Sequence, residues 1–125
     1  MNDQLEAVLD TQRLESLVEE IGDRDLVRQA VQAFLDEVPD RLANIRVAIS
    51  GREAGEVRSA AHALGSPAAM LGAVAVRSTT KALQDAATEG RLDDTSALYD
   101  AVVHATAQTE SAMHAYLAAP SPSPF

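Results

Sequence analysis

The segment Ala61-His62-Ala63-Leu64-Gly65-Ser66-Pro67-Ala68-Ala69-Met70-Leu71-Gly72-Ala73 sets a single histidine into an amphipathic helix whose apolar positions avoid it. Val57, Ala61, Leu64, Ala68 and Leu71 recur at intervals of four, three, four and three, which is one face of a 3.6-residue helix. At about 100° per residue, His62 lies roughly 140° from the centre of that face. Gly55, Arg58, Gly65, Ser66 and Ala69 share its flank, and most of them have little side chain. The imidazole is therefore expected to stand clear, presented to a partner. The Gly65-Ser66-Pro67 step permits a helix break after His62, with Ser66 as N-cap and Pro67 as the first helical residue. The core period stays in phase through Leu64, Ala68 and Leu71, which favours a kinked but continuous helix.

Outward from this segment the chain reads as a series of helices. Leu14, Leu17, Val18 and Ile21 give a short first helix stopped at Gly22. Asp23 is the expected N-cap of a second helix, with Asp25 favourable in its first turn. Its period is the clearest in the chain: Val27, Val31, Phe34, Val38, Leu42, Ile45 and Ile49, ending near Ser50-Gly51 and bent at Pro39. The histidine helix spans about Glu53 to Leu71. A fourth runs from Val74 to Glu89 with Gly90 as C-terminal cap, and Asp93-Asp94 starts a fifth that ends at Pro120. Leu98, Val102, Ala105, Thr109, Ala112 and Tyr116 form the apolar face of that fifth helix, and Met70 and Met113 read as core filler. Short connections between long helices force antiparallel neighbours. The expected fold is all-α, an antiparallel up-down four-helix bundle with a short additional N-terminal helix. Residues 1–119 form one domain and residues 120–125 a flexible Pro/Ser tail.

Composition narrows the function. The 125 residues carry a formal net charge of −9, which argues against nucleic-acid or anionic-membrane partners. The absence of cysteine rules out disulfides and thiolate metal sites. With no long apolar run and an acidic start, a cytoplasmic location is expected. The charge is uneven: residues 1–40 carry −8, residues 41–82 carry +4 and residues 83–125 carry −5. His62 lies in the positive third, a field suited to a phosphoryl dianion.

Phe34-Leu35-Asp36-Glu37-Val38-Pro39-Asp40-Arg41-Leu42, Ala61-His62-Ala63-Leu64, Leu71-Gly72-Ala73 and Leu83-Gln84 together resemble the histidine phosphotransfer (HPt) domain family over roughly residues 10–118. That resemblance implies a helical bundle that relays phosphoryl groups between receiver domains in two-component phosphorelays. His62 would be the phosphoacceptor. The implied partners are receiver domains of response regulators and hybrid histidine kinases, and any Mg²⁺ is expected on the receiver. Relatives typically read His-x-Leu-Lys-Gly-Ser. Here Gly65 stands in the lysine's place, Ser66 in the glycine's and Pro67 in the serine's. Ser66 is still small enough to leave access. Arg58, one turn before His62, or Lys81, three residues before Gln84, could supply the missing cation. Gln84 occupies the place of a family glutamine or glutamate that hydrogen-bonds the imidazole and fixes its tautomer.

A neutral imidazole is a good nucleophile near pH 7, and a relay needs mainly positioning and charge compensation. No Gly-rich phosphate loop appears, so the chain is not expected to use ATP itself and reads as a phosphoryl carrier, not a kinase; separately, no cofactor and a monomeric state are expected. His104 and His114 lie ten residues apart, which fits no one-face metal ligation, and Ser66 beside His62 lacks the orienting acid of a hydrolase. The alternative function is a degenerate HPt-fold adaptor that binds a receiver or kinase without being phosphorylated. A structural helical module unrelated to signalling is the third possibility.

Overall fold

The structure, a computed structural model, describes residues 8–120. Of the expected tail at 120–125, residues 121–125 lie outside the described residues. Among the described residues five α-helices follow in order: α1 Thr11–Ile21, α2 Arg24–Ser50, α3 Ala54–Met70, α4 Val74–Thr88 and α5 Thr95–Ala118. The four long helices close a ring in which each of α2–α5 packs against two others, and α1 leans on α2. This is the expected up-down bundle with a short leading helix. No helix among the described residues is long and apolar enough to cross a membrane.

The helix ends follow local chemistry. Asp10 accepts backbone bonds from Gln12 and Arg13 to cap α1, and Asp23 accepts from Asp25 and Leu26 to cap α2. Gly22 turns left-handed at φ 80° and donates to the Val18 carbonyl, closing α1. Gly90 plays the corresponding part just past α4 at φ 76°. Asp93 and Asp94 lie directly before α5, with Asp94 at its N-cap position. With Leu92 they form a 3₁₀ turn, held by Arg91 on Asp94 and by the Thr95 hydroxyl donating to the Leu92 carbonyl. α5 starts at Thr95, and neither aspartate bonds its first turn with its side chain.

The core draws on every helix: Leu14 and Leu17, then Val27, Val31, Phe34, Val38 and Ile45, then Val57, Ala61, Leu64 and Ala68, with Val76, Leu83, Val102 and Met113 closing it. Burial of this apolar surface is the main force holding the helices together. Met113 is fully buried as expected, whereas Met70, on the last turn of α3, is 59% exposed. Buried Thr80 and Thr109 donate their hydroxyls to carbonyls one turn back in their own helices, so neither brings an unpaired polar group into the core.

Two features fix the histidine helix. It is continuous through Pro67, without the break after His62 that Gly65-Ser66-Pro67 allowed. Its C-terminal turn is clamped to the start of α1: Asp10 donates its N–H to the Gly72 carbonyl at 2.7 Å, and Arg13 Nε donates to the Met70 carbonyl at 3.1 Å. Gly72 has φ 77°, and a Cβ there would meet the Asp10 carbonyl oxygen at 2.6 Å, so only glycine fits this crossing.

Candidate functional site

His62 is exposed on α3, on the edge of an open groove of about 350 Å³ between α3 and α4. From α3 the groove is lined by His62, Gly65, Ser66 and Ala69. Arg77, Thr80, Lys81, Gln84 and Asp85 line it from α4. Of the residues singled out in the sequence, His62, Gly65, Ser66, Lys81 and Gln84 come together here. Arg58 does not. It is exposed on α3 outside the groove lining and has no ion-pair partner among the described residues.

Gly65 corrects one expectation. The strip beside His62 was read as bare and open, and Gly55, Arg58, Ser66 and Ala69 are indeed exposed, but Gly65 is buried. A Cβ at position 65 would overlap Thr80 Oγ1 and lie 3.2 Å from Thr80 Cβ. The Thr80 hydroxyl is in turn anchored to the Val76 carbonyl at 2.8 Å, so it cannot simply swing aside. The small residue thus sets how closely α3 and α4 approach, and position 65 has no room for a long side chain.

The groove's charges sit on α4. Lys81 Nζ is 3.2 Å from the Asp85 carboxylate, one turn on, with both side chains more than half exposed. Arg77 has no acidic partner among the described residues. Gln84 is half-buried and, like His62, makes no side-chain hydrogen bond among the described residues. The two share the groove without being bonded to each other. Sequence reasoning missed Thr80, Arg77 and Asp85. The signal for them was spacing, because 77, 80, 81 and 84 fall on one face of α4.

A larger open groove, about 510 Å³, lies between α2 and α3 and is lined by Asn44, Val47, Glu53, Glu56 and Ser59 among others. It holds acids and no cation, and offers nothing to an anion. His104 and His114 are exposed on α5, away from either groove.

The family model for the Hpt domain matches residues 29–118. The chain belongs to the Hpt domain family. Its fold is similar to the crystal structure of histidine-containing phosphotransfer protein B (HptB) from Pseudomonas aeruginosa PAO1, with a TM-score of 0.80 and 24% identity over 87% of this chain and 93% of that one. No curated protein matches the sequence.

Proposed function

We propose that this chain relays phosphoryl groups between receiver-domain aspartates, with His62 as the phosphoacceptor. The observation that carries this is an exposed histidine on a groove with basic side chains, within a chain of the Hpt family. In the forward step the lone pair of the unprotonated ring nitrogen attacks phosphorus of an aspartyl phosphate. The new N–P bond forms as the P–O bond to the receiver's carboxyl group breaks, and the carboxylate leaves with the electron pair. The other ring nitrogen keeps its proton. The phospho-imidazole then gives the group to a second receiver by the reverse chemistry.

Several residues around His62 have a part in this reading. Gln84, which lines the same groove, would hydrogen-bond one ring nitrogen and leave the other free to attack. Ser66 and buried Gly65 keep the approach to the imidazole low, so a receiver can close over it. Lys81 supplies positive charge within the groove, and Arg58 adds it to the surface a receiver would cover. Charge on the aspartyl side is handled by the receiver and its Mg²⁺. The chain has no nucleotide-binding motif of its own and acts as carrier, not kinase.

The lysine-free stretch after His62 favours a second reading, the adaptor that binds a receiver without accepting phosphate. One experiment separates the two. A phospho-labelled receiver is mixed with wild type and with His62→Gln. Acid-labile, alkali-stable label on wild type alone supports the relay. Receiver binding without label supports the adaptor.

A further inference from the structure

We propose that Lys81 and Asp85 form a partner-exchange pair: Asp85 holds the Lys81 ammonium beside His62 until the imidazole is phosphorylated, and Lys81 then moves to the phosphoryl oxygens. The proposal deepens the relay reading and rests on it.

A phosphoryl dianion on His62 needs a cation, and the helix that carries His62 has none to give within the groove. Gly65, one turn along α3, is packed against Thr80 and cannot be anything longer. Arg58 lies outside the groove lining. The cations of the groove itself are on α4.

Register decides which one. Gly65 lies against Thr80 and the helices run antiparallel, so moving from Gly65 back to His62 corresponds to moving from Thr80 forward along α4. At 1.5 Å per residue, Gln84 is level with His62 to within about 1.5 Å, and Lys81 and Asp85 bracket it about 3 Å to either side. Arg77 falls about 9 Å away along the axis, too far to be the first contact. The phosphoryl group therefore forms over the Lys81–Asp85 pair.

The exchange is favourable in direction. An ion pair with both partners more than half exposed, at 3.2 Å, is weakly held. A lysine hydrogen bond to a dianion is the stronger interaction. Asp85 in this position has two effects. It competes with the phosphoryl oxygens for the ammonium, and its own negative charge opposes the incoming phosphoryl group. Removing Asp85 is thus expected to help the forward step, whereas removing Lys81 hinders it.

The test uses potassium phosphoramidate, a small donor that phosphorylates imidazole with release of ammonia and needs no receiver. The rate of labelling at His62 and the half-life of the phosphohistidine are followed by mass spectrometry, so that label on His104 or His114 is counted apart. Lys81→Ala is expected to slow labelling about tenfold and shorten the half-life, and Lys81→Arg to restore most of both. Asp85→Asn is expected to speed labelling severalfold. A Lys81→Ala protein within twofold of wild type in both quantities, or an Asp85→Asn protein slower than wild type, overturns the exchange while leaving the relay in place. Wild type that takes no label from phosphoramidate or from a phospho-receiver overturns the relay reading and the exchange together.

Discussion

At the scale of residues, Gly65 and Thr80 explain why this chain lacks a lysine after its histidine. A glycine in a helix interior costs about 1 kcal/mol relative to alanine, so Gly65→Ala would stabilise an open helix. Here the added methyl meets Thr80 Oγ1, which is bonded back to its own helix. Gly65→Ala is expected to lower stability by about 1–3 kcal/mol, and Thr80→Ala in the same chain to recover most of it. Denaturant midpoints for the two single variants and the double variant check this. A stabilised Gly65→Ala protein would mean that α3 and α4 do not approach as described. None of this was visible in the sequence. A residue without a side chain reads alike whether it leaves space for a partner or lets two helices touch, and only the facing residue tells the two apart. His62 was legible because a polar residue opposite a regular apolar period leaves one geometry.

At the scale of elements, α3 is a continuous helix with a proline in it. Pro67 has no N–H to donate to the Ala63 carbonyl, and an interior proline costs about 3 kcal/mol. Pro67→Ala is therefore expected to stabilise the protein by about 1–3 kcal/mol in thermal or denaturant unfolding. If Pro67 began a new helix after a break, the same change would be neutral or unfavourable. The other helix ends follow the sequence where one residue type satisfies a backbone need, as at Asp23, Gly22 and Gly90. The last helix starts directly after the Asp93-Asp94 pair as expected, with Asp94 at its N-cap position, but the pair lies in a 3₁₀ turn tied to Arg91 and does not bond the first turn of α5. Met70 reads as core by type, but its place in the last turn of α3 leaves it exposed.

At the scale of the molecule, the bundle holds α3 and α4 in register while its charge stays on the surface. One surface pair reports on the docking of α1. Arg24 reaches Glu15 with two bonds of 2.9 Å, joining α1 to α2. The hydrogen bond from Arg24, helped by its charge, holds the Glu15 carboxyl below the usual glutamate range against a smaller opposing effect of burial. A folded-state pKa below the unfolded one gives stability that is present above the unfolded value, about 4.3, and is lost as pH falls through the folded value. The stability difference between wild type and Glu15→Gln is expected at neutral pH and shrinks toward zero in acid, as denaturant midpoints across pH would record. A pH-independent difference would contradict the ion-pair origin. The relay itself is tested most directly by locating the phosphoryl group. Wild type incubated with a phospho-receiver, then digested and sequenced by mass spectrometry at neutral pH, is expected to carry one phosphoryl group on His62 and none on His104 or His114. Phosphate on either of those residues, or an unmodified His62 beside a receiver that has bound and kept its phosphate, would contradict the account.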